Sequence, residues 1–339
     1  MKGTFAKGKL HSGMKTAALM ITFSLVIGGC GSKEEVPQPE MAYETGTLNL
    51  GTGAEGSVIH QAGWKVSDII SNTVPGIYVM VEESKGAMVN ADNVDDGSMD
   101  LALIPGDVAY DAANGRNLFA DDKKEELRVL GACYQEVSGW ITPKDTGMSQ
   151  VEDLKGKIIS CGSRGSVTDL VSKDVFDVLG IDGSNTEVYA DSISASVGHL
   201  KEGTADSSHV FSAVPNVMHE SFANDVEAVV LSYSEELLNQ IIEQEPWYFK
   251  TEIPAAVYAG QDDAVPTFGR KVLLCANKEM DEDLAYEIAR ALDLNGPVYT
   301  AGSRFMSEIS DKEFLCNELL LPLHEGAERY YKELGYLKK

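Results

Sequence analysis

Leu48-Asn49-Leu50-Gly51-Thr52-Gly53-Ala54-Glu55-Gly56-Ser57 is a short apolar strand that opens onto three glycines. An amphipathic run follows, through Val58 and Gly63 to Trp64, Val66, Ile69 and Ile70. Glycines at a strand-to-helix turn let backbone N–H groups approach a ligand closely. A helix N-terminus behind such a turn favours an anion, because its first N–H groups lack partners and the helix dipole points there. Taken alone, the turn is either a structural stop or an anion cradle. The rest of the chain has to decide between them.

Outward from this stretch, short apolar runs alternate with amphipathic ones, the pattern of an α/β chain. Strands are predicted at residues 77–81, 101–104 and 127–132, with helices over 58–71, 88–96 and 108–113. Trp140-Ile141-Thr142-Pro143 leaves a strand, and Val151-Glu152-Asp153-Leu154-Lys155-Gly156-Lys157 opens a fresh unit. There Ile158-Ile159-Ser160-Cys161-Gly162 runs into Ser163-Arg164-Gly165-Ser166-Val167-Thr168, and a helix carrying Leu170, Val171, Val175 and Leu179 stops at Gly180. Further strands fall at 187–189, 209–211 and 228–231, with helices over 195–201 and 234–243. Lys271-Val272-Leu273-Leu274-Cys275-Ala276 reads as a strand returning to the first unit. The expected architecture is two α/β lobes with the second inserted into the first, lobe I covering residues 46–141 and 266–339 and lobe II residues 142–265. In open α/β sheets ligands collect beyond the C-terminal ends of the strands, which is where the glycine turns lie.

The N-terminus carries Lys2, Lys7, Lys9 and Lys15, then an apolar run over residues 17–27 that ends in Gly28-Gly29-Cys30. A basic region, a short apolar core and small residues describe a secretory signal over residues 1–29. The small residues before Cys30 resemble a bacterial lipobox, which implies a lipid on Cys30 and attachment to the membrane outside the cytoplasm. Residues 30–45 are polar and proline-bearing and read as a flexible tether. Met14 is an alternative start.

The formal charge of −25 argues against nucleic acid or anionic lipid as a partner, and 43% hydrophobic residues argue for a globular body. Cys133, Cys161, Cys275 and Cys316 are widely spaced without a CxxC pair, so no zinc site is expected and burial is their default reading. No HExxH spacing and no G-x-S-x-G elbow is present. Residues 51–56 do fit G-x-G-x-x-G, yet the acid expected beyond the next strand is met only loosely by Glu82 or Glu83. The chain reads as a binding protein rather than an enzyme, with no cofactor.

Ordered motifs sharpen that reading. Gly51-Thr52-Gly53 with Gly56, Val58 and Gly63 forms a first glycine loop, and Ser84-Lys85-Gly86-Ala87-Met88-Val89-Asn90 a second. Asp107-Val108-Ala109-Tyr110 with Gly115, then Gly162 with Gly165, Ser166 and Thr168, then Gly203, Asp206 and Pro215, follow in order. The chain closes on Pro322-Leu323-His324-Glu325-Gly326-Ala327-Glu328-Arg329-Tyr330-Tyr331. In this series the sequence resembles the TAXI family of solute receptors, which serve TRAP-type transporters. The resemblance implies a type II periplasmic-binding-protein fold: two lobes, a two-strand hinge and a ligand cleft. It implies capture of a small carboxylate, an amino acid or organic acid, and its delivery to an ion-driven membrane permease. Presentation of the solute to a membrane sensor would use the same lobe closure.

By that resemblance the first lobe contacts solute through Gly51, Thr52, Gly53, Ala54, Glu55, Gly56, Ser57 and His60, through Ser84, Lys85, Gly86 and Ala87, and through Pro105 and Asp107. The second contributes Ser163, Arg164, Gly165, Ser166, Val167, Thr168 and Pro215. Ser166 and Thr168 suit helix caps equally well. Arg164 can hold a carboxylate through two parallel hydrogen bonds or stand in solvent. Asp107 reads as a loop-stabilising acid or as a partner for an ammonium group. Trp140, near the hinge, reads as packing, and His324, Tyr330 and Tyr331 as docking contacts of a terminal helix. Glu55, Ile59, His60, Ala87 and Pro105 depart from the family pattern, so the family's solute does not carry over.

Overall fold

Seventeen consecutive residues of one strand, β4, tie the molecule together. The structure, a computed structural model, describes residues 42–338; the signal, Cys30 and most of the tether lie outside the described residues. In chain order the strands are β1 (Gly46–Gly51), β2 (Ile77–Glu82), β3 (Leu101–Pro105), β4 (Leu127–Pro143), β5 (Ile158–Ser160), β6 (Glu187–Tyr189), β7 (Ser207–Ser212), β8 (Ala228–Val230), β9 (Phe249–Ile253) and β10 (Val265–Asn277). The helices are α1 (Val58–Thr73), α2 (Ala87–Asp95), α3 (Gly106–Asn114), α4 (Val167–Leu179), α5 (Ile193–Glu202), α6 (Val217–Asp225), α7 (Glu235–Ile242), α8 (Glu282–Tyr299), α9 (Lys312–Cys316) and α10 (Glu325–Glu333).

The sheet runs β2-β1-β3-β10-β4-β7-β5-β6. β1 pairs in parallel with β2 and β3, and β10 joins β3 antiparallel; β5 pairs in parallel with β6 and β7, and β4 joins β7 antiparallel. Each lobe therefore repeats one order: second strand, first, third, then a strand crossing from the other lobe. This is the two-lobed type II periplasmic-binding-protein plan, with β4 and β10 as the crossings. They pair with each other from Leu127 to Val137. Beyond that, β4 continues beside β7 and β8, and β10 beside β9.

The sequence pattern breaks β4 into two pieces and starts β10 late. Gln135, Glu136, Ser138, Arg270 and Lys271 interrupt the apolar run, because the strand changes its surroundings as it passes between lobes. β9 and α6 leave no sequence signal of their own, β9 being a short arm with alternate charged residues (Lys250, Glu252).

Period-3.6 apolar spacing is what seats the helices. Val66, Ile69 and Ile70 of α1 are fully buried with Leu50, Leu101, Leu103, Ile288 and Tyr331 on one face of the lobe I sheet. α2 and α3 cover the other face with Ile104, Ala109, Leu273 and Phe314. In lobe II, Trp140, Ile159, Val171 and Val175 pack with α7 on one face, and Val197, Leu200 and Phe222 on the other. Full burial of such side chains contributes roughly 1.5–3 kcal/mol each. All four described cysteines are buried free thiols.

Candidate functional site

β1 ends at Gly51, and its turn is held from below by two donors to one carbonyl. Ser84 Oγ donates to Thr52 O at 2.9 Å and Asn90 Nδ2 donates to it at 2.7 Å. Asn90 Nδ2 also reaches Leu103 O at 3.2 Å, and Glu55 N donates to Glu83 Oε1 at 2.5 Å. These bonds bring the first turn, the loop Ser84-Lys85-Gly86-Ala87 and the end of β3 at Pro105 into one wall. Lys85, Ala54, Glu55 and Gly56 are exposed, while Gly51, Thr52, Gly53 and Pro105 are buried.

His60 lies beneath this wall with both ring nitrogens engaged. Thr52 Oγ1 donates to Glu82 O at 2.8 Å, so it accepts from His60 Nδ1–H at 3.0 Å; Trp64 Nε1 donates to His60 Nε2 at 3.1 Å. The one N–H of the His60 ring is thus spent on Thr52. Both side chains support the turn from the protein side.

The turn after β5 has the same construction. Ser166 caps α4 by accepting from Asp169 N at 3.2 Å, as Ser57 caps α1 by accepting from His60 N at 3.3 Å. Gly56 and Gly165, each just before its cap, have φ of 80° and 78°, a left-handed backbone that favours glycine. A Cβ on Gly53 would stand 2.8 Å from Ile59 Cγ2, and one on Gly162 would stand 2.9 Å from Thr168 Cβ. Gly53-Ala54-Glu55-Gly56-Ser57-Val58 and Gly162-Ser163-Arg164-Gly165-Ser166-Val167 are therefore one G-x-x-G-S-V turn used twice. The second residue between its glycines is Glu55 in lobe I and Arg164 in lobe II.

Among the described residues, no backbone partner is found for the N–H groups of Gly53, Ala54 and Gly56, or of Ser163 and Arg164. Gly165 N donates to Asp169 Oδ2 at 2.8 Å, and Lys173 Nζ reaches the same oxygen at 2.8 Å. Burial, the largest influence on the Asp169 carboxyl, pushes its pKa up. Lys173, the Gly165 N–H and Arg164 together more than offset this and hold it below the usual carboxylate range. Thr168 is buried, and its Oγ1 accepts from Phe211 N at 3.1 Å, fastening α4 to β7. Pro215 is half-buried ahead of Asn216, the cap of α6.

Between the two walls stands Arg270, on β10 and only 3% exposed. It pairs with Asp107 at the start of α3, and with Glu136 on β4 through Nε (3.0 Å) and Nη2 (2.7 Å), and its guanidinium lies 5.3 Å from the Phe211 ring centre. Burial works against its charge; Asp107 and Glu136 outweigh it and raise the pKa. One oxygen of Asp107 faces Arg270, while Oδ1 is buried without a partner. Asp174 on α4, whose pKa burial raises with a contribution from Asp107, accepts from Tyr248 OH at 2.6 Å. The sequence does not single out Arg270. Its only signal is a charged residue at the mouth of an apolar strand, which also marks a boundary.

Further pairs join the lobes at the flanks. Arg116 lies 5.4 Å from the Tyr110 ring centre and 5.5 Å from that of Trp247, and pairs with Glu245 at 3.5 Å. Arg304 pairs with Glu220 at 2.5 Å and donates to Val257 O at 3.1 Å. A cavity of about 210 Å³ lies beside Gly106 between Trp247 and Lys271; a larger one, about 600 Å³, sits at the opposite ends of the lobe I strands. Trp140 is wholly buried, His324 caps α10 from a buried position, and Tyr330 and Tyr331 are buried against the lobe I core. Among the described residues no group of His, Cys, Asp and Glu is arranged to hold a metal ion. None of their helices is long and apolar enough to cross a membrane.

The model of the NMT1-like family matches residues 50–335, from the end of β1 to beyond α10. Among solved structures, the chain is similar to PhnD1 from Prochlorococcus marinus in complex with methylphosphonate, at 10% identity and a TM-score of 0.47 over 86% of this chain and 98% of that one. It is similar to the periplasmic aliphatic sulphonate binding protein SsuA from Escherichia coli, at 12% identity and a TM-score of 0.45 over 86% and 78%. It is also similar to the probable amino-acid ABC transporter extracellular-binding protein ytmK from Bacillus subtilis, at 14% identity and a TM-score of 0.47 over 77% and 97%.

Proposed function

The chain belongs to the NMT1-like family, and from that premise we propose that it is an extracytoplasmic solute receptor. It takes a small carboxylate-bearing solute, an amino acid or organic acid, between its lobes and delivers it to a membrane permease. The observation that carries this reading is the duplicated G-x-x-G-S-V turn, one copy at the C-terminal end of the first strand of each lobe. Closing a cleft removes a small ligand's charges from water, so the protein must supply replacement partners. Two helix N-termini with unengaged turn N–H groups, and the Arg164 guanidinium on the lobe II turn, supply donors suited to a carboxylate. The resemblance to TAXI receptors carries the finer reading of a TRAP-type permease, and the lipobox that of a lipid on Cys30.

A thermal-shift screen with amino acids, mono- and dicarboxylates tests the proposal. A solute that binds only the folded cleft stabilises it by about 2.7 kcal/mol at a hundred times its dissociation constant. For a folded body of about 300 residues that raises the melting temperature by roughly 4 °C. No shift with any of these probes overturns the carboxylate reading.

A further inference from the structure

His209 is buried without exposure in the middle of lobe II, and five polar groups form a line through it. Its Nδ1 lies 2.7 Å from Ser172 Oγ on α4, and its Nε2 lies 2.8 Å from Ser138 Oγ on β4. Ser172 Oγ stands 2.6 Å from Thr168 O, Ser138 Oγ 2.5 Å from Tyr233 OH, and Trp140 Nε1 2.9 Å from Tyr233 OH. The Trp140 ring stacks on the imidazole, with centroids 4.2 Å apart and planes 7° from parallel.

These distances allow one ordering of hydrogens. A carbonyl and a hydroxyl oxygen 2.6 Å apart need a hydrogen between them, and only Ser172 has one to give. Ser172 Oγ therefore accepts from His209 Nδ1–H. The imidazole is neutral, since burial holds its pKa well below the usual range with a smaller contribution from His219, so Nε2 is bare. Ser138 donates to Nε2, Tyr233 donates to Ser138, and Trp140 Nε1 donates to Tyr233. Every group is satisfied once, in a single direction from the crossing strand β4 to the first turn of α4.

The line ends where the lobe II turn rests. Thr168 takes the Ser172 hydrogen on its carbonyl and the Phe211 N–H on its hydroxyl. Gly162 approaches Thr168 so closely that a Cβ there would come within 2.9 Å. We propose that His209 is a positioning residue: as its Nδ1–H tautomer it locks Thr168, and through it the turn 162–166, to the hinge strand. The proposal rests on the reading of that turn as one wall of the solute cleft. Lobe I has a shorter line of its own, Trp64 to His60 to Thr52, but it ends on Glu82 O of β2 and not on Ile59, the residue against which its turn rests.

The test uses the full chain with ¹⁵N-labelled histidine and no solute. The expected result is a protonated Nδ1 and a bare Nε2 at neutral pH for the residue that disappears in His209→Gln. A protonated Nε2, or an imidazolium, overturns the ordering. In Ser172→Ala the amides of Gly165 and Asp169 are expected to exchange with solvent about tenfold faster, the loss of one buried hydrogen bond, while those of Ser57 and His60 stay unchanged. Unchanged exchange at Gly165 and Asp169, or equal acceleration in lobe I, overturns the positioning role. Because neither measurement needs a solute, a cleft that binds none of the carboxylate probes overturns the receptor reading and leaves the role of His209 to be decided by these two results.

Discussion

At the end of β1, the turn 53–57 rests on Ile59 and is backed by a neutral pair, Trp64 donating to His60. At the end of β5, the turn 162–166 rests on Thr168 and is backed by an ionic pair, Lys173 and Asp169. The capping bonds are the same, and the residue before each cap is a glycine with φ near 80°. What differs is charge: Glu55, with Glu83 against its N–H, on lobe I, and Arg164 on lobe II. The backbone of the two turns sets where an anion can approach, and the side chains set which wall it prefers. Under the receptor reading, a carboxylate is held from lobe II.

The largest expected effect separates the two glycines that make the close approach. Gly162→Ala meets Thr168 and also strains a φ of 76°, whereas Gly53→Ala meets only Ile59. Overpacking costs about 1–3 kcal/mol, and a left-handed backbone adds about 1–2 kcal/mol for a residue with a side chain. Denaturant titration should show Gly162→Ala losing about 2–5 kcal/mol, more than Gly53→Ala. Equal losses would mean that the two turns differ less in backbone than these angles say.

How much of this was legible in the sequence follows from what each turn needs. The strand–turn–helix units announce themselves, because Gly56-Ser57 and Gly165-Ser166 are local signals that act through their own backbone. Their equivalence could also be read from the repeated G-x-x-G-S-V, though it takes the matched strand order of the lobes to give the repeat a meaning. Arg270 is different. Its role depends on Asp107, Glu136 and Phe211, which arrive from three other elements, and no local pattern marks such a meeting point. The surroundings of His60 are illegible for a related reason: its partners, Thr52 and Trp64, are brought to it by the way α1 folds back on β1 and β2.

The next effect down concerns the charges. Arg164 is exposed and acts on Asp169 only through its charge, the smallest of the influences on that carboxyl, so Arg164→Ala should leave stability within about 0.5 kcal/mol. For a carboxylate solute it should weaken binding by roughly tenfold to a hundredfold, the range of a hydrogen bond to a charged group. Glu55→Gln should strengthen the same solute's binding by a small factor or leave it alone, as calorimetry would show. If Glu55→Gln weakened binding as much as Arg164→Ala, the solute would be presenting a cation to lobe I, and the assignment of the walls would change.

The smallest effect is a pH dependence that only lobe II should show. The Asp169 carboxyl titrates below its ordinary range in the folded chain, so its contribution to stability is present above the unfolded value of about 3.9 and is lost as pH falls through the lower folded value. Asp169→Asn keeps an acceptor for the Gly165 N–H but removes the charge that Lys173 and Arg164 stabilise. The variant should be less stable than the wild type at neutral pH, and the gap should close as pH drops through the acid range. Ser84→Ala in lobe I removes a bond between groups that do not titrate, Ser84 Oγ to Thr52 O, and should shift stability by a similar amount at every pH in that range. A gap that stayed constant with pH for Asp169→Asn would show that the ionic backing of the lobe II turn is electrostatically idle.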